Sequence, residues 1–466
     1  MRPAQNRTRI PLDNALPPAH LALFRAVAAA AESQGMPLYV VGGYVRDLLL
    51  KRPSLDFDLV VEGDAIALAR ALRKKYGGRV VAHRKFGTAK WEMAAVRERL
   101  AQQLASLIHE GQTLNPADFP ESLDLVTART EHYPHPAALP VVSRGSIKDD
   151  LHRRDFTINT LAVRLDGDHE GELLDYWGGL DDLEQGLIRV LHDQSFVDDP
   201  TRMLRAVRFE QRFGFTIEPR TLQWLAEARG LLAQVSGDRI RHELDAMLDE
   251  PRAEAMLARS AQLGLLEAIH PPLRWRPAVT ERLRALQQAP WPPPAPWDDL
   301  PAALRQTPLR RALAYALWWM DWPEDEIKVA ARRLRFPKVL TEVVHGAAAL
   351  ASQARTLAQA NPSAFTFQVE AYPLASAYAL YLAAENENLR ARLRRYAAEW
   401  RHIRARTTGR DLQALGIPRG PRYKEILQTL RAAWIDGEVR SPEGEKALLA
   451  RLVMDEKEGN KDTERH

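Results

Sequence analysis

The sequence predicts an α+β chain in which a small N-terminal domain mixing strands and helices precedes an elongated, all-helical remainder. Three observations carry this expectation. Short apolar runs bounded by Gly, Asp and Pro are concentrated before about residue 165, the signature of strands between turns. From Asp166 onward those runs fade, and Leu, Ala and Arg at helical spacing take over. The helical half is broken at Ala289–Pro301 (APWPPPAPWDDLP), where prolines lack the amide donor and clash with a preceding turn, so this segment is a linker or long loop.

Taken in order, Ala19–Glu32 reads as a helix and Leu38–Val41 as a short apolar strand that runs into Gly42-Gly43. Val45–Leu50 is a second helical piece, Phe57–Val61 a strand and Ala65–Tyr76 a helix. Arg79–Ala82 and Thr88–Met93 are further strands. Ala95–Glu110 is charged and helical between strand-like pieces, within an insertion spanning Ala95–Pro120, and Leu123–Thr127 resumes the sheet. The charged end, Asp455–His466, is expected to be disordered.

Composition narrows the function classes. A chain of 466 residues exceeds one compact core and points to three or four domains. With no cysteine, disulfides, thiolate zinc sites and cysteine nucleophiles are excluded. No apolar run approaches the ~18 residues of a membrane span, and Met1–Asp13 lacks the apolar stretch of a secretory signal, so no membrane association and a cytoplasmic location are expected. No obligate protein partner is evident. A net charge of +4 permits nucleic-acid binding without arguing for it. Asn388–Arg410 carries Arg390, Arg392, Arg394, Arg395, Arg401, Arg404, Arg406 and Arg410 against Glu399, which suits either an RNA-binding face or a solvated helix.

The chemistry concentrates in three segments. In the first, Val41-Gly42-Gly43-Tyr44-Val45-Arg46-Asp47 lets backbone approach a phosphate at a helix start, and Asp56-Phe57-Asp58 follows. Alternation along a strand puts Asp56 and Asp58 on one face, where their oxygens can share divalent cations. Magnesium prefers carboxylate, water and phosphate oxygens, and two such ions can activate a 3′-hydroxyl and stabilise departing pyrophosphate. The competing reading is a strand ending in solvated acids. Asp124 is a candidate third carboxylate or a simple turn cap.

In the second, Arg153-Arg154-Asp155-Phe156-Thr157-Ile158-Asn159, Arg154 suits triphosphate oxygens and Asp155 suits ribose hydroxyls. A helix start capped by Asp155 is the alternative. In the third, Asp199-Pro200-Thr201-Arg202 opens a helix carrying Arg205 and Arg208. A carboxylate only accepts and a guanidinium only donates. Side by side they match the amino group and ring nitrogen of cytosine or adenine, whereas uracil and guanine present the reverse pattern. The plain alternative is an Asp199 N-cap ahead of an exposed basic stripe.

Together these segments resemble the class II tRNA nucleotidyltransferases, a family shared with bacterial poly(A) polymerases. The likeness runs in order through Gly42–Asp58, Leu123–Glu131, Ile147–Ala162, Asp175–Leu183, Asp198–Phe215 and Asp238–Leu244, with a further similar segment at Gly409–Leu427. The resemblance implies a polymerase-β-like nucleotidyltransferase head over residues 1–165, a neck over 166–255, a body over 256–385 and a tRNA-binding tail over 386–466. It implies Asp56 and Asp58 as catalytic ligands of two Mg2+ ions. Gly43 and Arg46 would contact the nucleotide, Arg154 and Asp155 would hold triphosphate and ribose, and Asp199 and Arg202 would read the base with Arg205 and Arg208 nearby. The implied substrates are ATP, CTP and tRNA. Asp198 stands where the family commonly has Glu, and the stretch Ala128–Lys148 looks like those of organisms that divide C-C and A addition between two enzymes. Addition of CMP, AMP or both to the tRNA end is the leading expectation; poly(A) synthesis on general RNA ends and a catalytically silent RNA-binding protein are the alternatives.

Overall fold

The computed structural model describes residues 8–52, 57–109, 111–132, 134–135 and 140–463, with side chains through Met454. They form two compact units, Met1–Val235 with Leu263–Ala268, and Ser236–Gln262 with Ile269–His466.

The first unit is built on a mixed sheet. Its strands, with a separate hairpin numbered among them, are β1 (Leu38–Val41), β2 (Asp58–Val61), β3 (Arg79–His83), β4 (Thr88–Glu92), β5 (Ser122–Thr127), the hairpin β6 (Arg129–His132) and β7 (Val141–Arg144), then β8 (Ala162–Arg164) and β9 (Leu173–Leu174). The seven-stranded sheet has the order β3-β4-β5-β2-β1-β8-β9. Every neighbouring pair in it is antiparallel except β2 and β5, which run parallel with Asp58 opposite Asp124. All four residues of β1, Leu-Tyr-Val-Val, are buried, as a central strand covered on both faces requires. Helix α1 (Pro18–Glu32) buries Leu21, Leu23, Phe24 and Val27. Tyr39, Val41 and Val60 pack instead with Ile147, Leu151 and Ala162.

The expected strands and helices appear with ends shifted by a few residues. Helix α2 (Gly43–Leu49) starts at the second glycine itself, and α3 (Ala65–Tyr76) spans the range expected of it, with Asp64 accepting from the Ile66 and Ala67 amides as its N-cap. The inserted segment is not one helix: α4 (Arg97–Leu104) lies between two 3-10 turns. It is nevertheless part of the core, with Leu100, Leu104 and Phe119 buried. Arg25 of α1 ties it down by donating to the Leu107 carbonyl at 3.0 Å.

The second unit is helical from Gly237–Leu248 to Pro442–Thr463 except for a short hairpin, Ala303–Leu304 with Thr307–Pro308, so the remainder is not all helix. Residues 455–463, expected to be disordered, continue the last helix. Tyr315, Trp318, Trp319 and Trp322 form an aromatic core in which Trp319 stacks on Trp322 and Phe336, centroids 4.6 and 4.9 Å apart. Ala289–Pro301 contains no helix, and Trp297 inside it is buried. No helix among the described residues is long and apolar enough to cross a membrane.

Candidate active site

Gly42 sits at the point where β1 turns into α2, with φ +71°. An added Cβ there would meet Arg154 Nη1 at 2.4 Å, so only glycine lets that guanidinium lie against the turn. Four residues further on, Arg46 is 4 % exposed. It donates through Nε to Asp47 at 2.9 Å and through Nη1 to Asn159 Oδ1 at 2.5 Å, and it lies over the ring of Phe213 at 4.6 Å. Burial pulls its pKa below the ordinary arginine value, and Asp47 opposes that pull. The Gly-Gly turn thus delivers one cation that is already committed to the protein, Arg46, and makes room for another, Arg154.

The second segment follows α5 (Ile147–His152). Asp150, fully buried, accepts from Arg153 at 2.9 Å and from Arg154 at 3.1 Å. Burial alone would raise the Asp150 carboxyl; the two arginines outweigh it and hold the group below the usual carboxylate value. Asp155 accepts from the Phe156 amide and Asn159 on one oxygen, and on the other from Arg205 Nε and Nη2 at 2.8 and 2.5 Å. Its burial, too, would raise the pKa, but Arg205, Asn159 and Arg202 bring it down to about 2.

The third segment is α6 (Arg202–Phe213). Just ahead of it Asp199 accepts from the Thr201 amide at 2.9 Å and hydroxyl at 2.6 Å, a cap-like role that leaves it beside the helix start. Arg202 is 6 % exposed and donates to the Arg153 carbonyl at 2.7 Å, so this residue is no part of a solvated stripe. Arg205, Arg208 and Arg212 follow at helical spacing over Phe209 and Phe213.

These three segments, with β2, line one cavity of about 710 Å³. Gly43, Arg46, Asp58, Arg154, Asp155, Asn159, Asp199, Arg202, Arg205 and Arg208 all face it. Among the described residues eight arginines and five carboxylates line its wall, an excess of positive charge suited to a polyanion. Asp58, at the start of β2, is exposed toward it. Asp56 lies outside the described residues. Asp124 neighbours Asp58 in the ladder but pairs with Lys90 Nζ at 3.2 Å and is not among the lining residues. Among the described residues no three His, Asp or Glu side chains converge as a metal cluster. Magnesium is commonly held by one or two carboxylates completed by phosphate and water, and an exposed Asp58 facing an electropositive cavity fits that mode.

Among the wall residues to which the sequence assigns no role are Asn159, Arg129, Glu131 and Arg212. Asn159 is contained in the motif and four residues from Asp155, the spacing at which its amide reaches that carboxylate. Arg212 is the next turn of the arginine series. Arg129 and Glu131 belong to the hairpin, and no local pattern marks them.

Residues 38–189 match the family described as the Poly A polymerase head domain, and residues 214–275 match a probable RNA and SrmB-binding site of polymerase A. The A-adding tRNA nucleotidyltransferase of Geobacter sulfurreducens is 34% identical over 97% of this chain, which spans about half, 49%, of that protein. The A-adding enzyme of Halalkalibacterium halodurans is 32% identical, covering 88% of this chain and 87% of its own. A CC-adding tRNA nucleotidyltransferase of Geobacter sulfurreducens is 31% identical over 92% of this chain and 95% of its own. Among solved structures, a CCA-adding enzyme in an apo form superposes with a TM-score of 0.75 at 31% identity, over 94% of this chain and 97% of that one. The Thermotoga maritima CCA-adding enzyme complexed with tRNA superposes at 0.68 and 29% identity, over 95% and 97%.

Proposed function

The chain belongs to the class II tRNA nucleotidyltransferase and bacterial poly(A) polymerase family, and on that premise we propose that it transfers AMP from ATP to the 3′-hydroxyl of a tRNA ending in C-C, with no nucleic-acid template. The observation that carries the reaction class is the single cavity joining Asp58, the Gly42-Gly43 turn, the Arg154/Asp155 pair and the Asp199/Arg202 pair. The choice of AMP is supported by the A-adding relatives that align over 97% and 88% of this chain.

Arg154 and Arg208 hold the triphosphate, matching its oxygens with paired N–H donors. Asp155, fixed by Arg205, orients the ribose. Asp199 accepts from the exocyclic amine of adenine and Arg202 donates to its ring nitrogen, so a base with the reverse pattern leaves both groups unpaired. Asp58, together with Asp56, would hold two Mg2+ ions. Those ions, when bound, would favour the attacking alkoxide and neutralise charge on the pyrophosphate. The division into head (1–165), neck (166–255), body (256–385) and tail (386–466), and a cytoplasmic location, complete the proposal.

The family description of residues 38–189 as a poly(A) polymerase head favours a second reading, A-tract synthesis on general RNA. One experiment separates these readings. The protein is incubated with CTP, ATP or both, on tRNA ending at the discriminator base, on tRNA ending in C-C, and on unstructured RNA. A single AMP on the C-C end is expected. CMP on the shorter tRNA would overturn A-only addition, and long A tracts on unstructured RNA would overturn tRNA specificity.

A further inference from the structure

A second pocket, of about 350 Å³, adjoins the first and is lined in part by Arg70, Arg84, Lys85, Phe86, Arg129 and Arg144. We propose that it receives the single-stranded 3′ end of the RNA, with Phe86 stacking on a base behind the reacting nucleotide and Arg70, Arg84 and Lys85 on the backbone phosphates. The proposal rests on the reading of the first cavity as a nucleotidyl-transfer site.

Charge is the first argument. Among the described residues the one acid in the wall is Asp64, and it is engaged: its Oδ1 caps α3 and its Oδ2 accepts from Arg144 at 3.3 Å. Among the described residues no carboxylate pairs with Arg70, Arg84 or Lys85, all three exposed. Arg129 adds a buried Nε–H without an acceptor among the described residues. Such a wall attracts a polyanion.

The aromatic ring is the second. Phe86 is 47 % exposed at the end of the 3-10 turn Arg84–Phe86. Gly87, with φ +61°, ends that turn and accepts from the Thr127 amide at 3.0 Å, which pins the turn to β5. A single exposed ring is ordinary on a protein surface. A ring held on a fixed turn between cations is the platform by which proteins take single-stranded RNA, because every base has a stacking face. Neither a nucleoside triphosphate, which the first cavity suits, nor a duplex stem matches this arrangement.

Continuity is the third. Arg129 lines both pockets; Gly87 lines this one and Thr88 the other. Thr88 pairs with Val126 on β5, and β5 pairs with β2 at Asp58. Two strand spacings across the sheet, roughly 10 Å, and a two-residue offset along it, roughly 7 Å, therefore separate Thr88 at the end of the turn from Asp58. That is the reach of the nucleotides just behind the 3′ end.

The test measures binding of two forms of one tRNA, one ending in C-C and one trimmed of its single-stranded 3′ nucleotides. Phe86→Ala is expected to weaken the first roughly tenfold and leave the second unchanged, with Phe86→Tyr restoring affinity. Arg84→Ala with Lys85→Ala is expected to reduce the salt dependence of binding to the first form. Equal losses on both forms, no loss on either, or a loss confined to ATP would overturn the proposal. The reaction itself is scored separately on the wild-type protein. Absence of transfer with this binding pattern intact would sink the reaction reading alone, and transfer without the pattern would sink the pocket alone.

Discussion

Two stretches of this chain are equally dense in arginine, and they are put to different uses. In α6, Arg202, Arg205, Arg208 and Arg212 converge on a cavity where Asp155 is buried and the Arg153 carbonyl holds Arg202 in place. In the helix Glu387–Ala398 and the turn after it, the arginines disperse. Arg392 lies between Phe365 and Trp400, 5.0 and 5.5 Å from their centroids, and donates to the Ala360 carbonyl. Arg395 pairs with Glu399 at 2.9 Å, and Arg401 is taken up by Asp299 and the Ala397 carbonyl. Density in sequence is therefore no guide to function. What separates the two regions is whether buried acceptors gather the guanidinium groups round one space or use each of them locally.

The comparison fails first if the cavity is not catalytic. Asp58→Ala is expected to lower the transfer rate by on the order of a thousand-fold or more, since a metal-holding carboxylate contributes several kcal/mol to the transition state. tRNA binding should survive, and single-turnover kinetics beside filter binding would read both. Persistent transfer would remove Asp58 from the chemistry and leave α6 as a basic surface like the other.

Arg205 tests whether convergence depends on the buried carboxylate. Arg205→Ala strands Asp155 without its counter-ion, a loss of about 3 kcal/mol in folding stability. The pH dependence has a definite sign. Asp155 titrates near 2 when folded against about 3.9 when unfolded, so its contribution is present above pH 4 and lost as the pH falls toward 2. Urea midpoints should thus differ most between wild type and Arg205→Ala at neutral pH and draw together below pH 4. A gap independent of pH would place the stability elsewhere. Arg202→Ala should cost less: with one buried donor gone, discrimination against UTP and GTP relaxes by roughly tenfold. Unchanged discrimination would take Arg202 out of base reading.

Much of this was legible in the sequence because the signals are local. Apolar strands, the Gly-Gly turn and the arginine series of α6 each declare themselves within a dozen residues, and the cavity gathers the segments so marked. The hairpin β6–β7 was not legible: Arg-Thr-Glu-His is polar, Val-Val-Ser-Arg leaves Val141 exposed, and neither strand shows an alternation to detect. The double burden on Asp155 was equally hidden, since its partner Arg205 is fifty residues away and reaches it only through the fold. The inserted segment reads as an addition in sequence yet buries Phe119, because one aromatic among charged residues gives no periodic signal of burial.

The smallest effect is the sharpest test of the contrast, and Arg395 supplies it. Its guanidinium is largely exposed and its pairing with Glu399 is an i,i+4 contact at the helix end. Exposed pairs of this kind contribute about 0.3–0.5 kcal/mol, because two long side chains lose freedom for a Coulomb gain that water screens. Arg395→Ala should therefore shift the urea midpoint barely above error. Because a phosphate contact releases counterions whatever the stability change, the salt dependence of tRNA binding is the discriminating readout. An unchanged slope is expected if this arginine serves the helix. A shallower slope would mean that the second arginine run also meets phosphate, and the distinction between gathered and dispersed arginines would have to be drawn between surface and cavity instead.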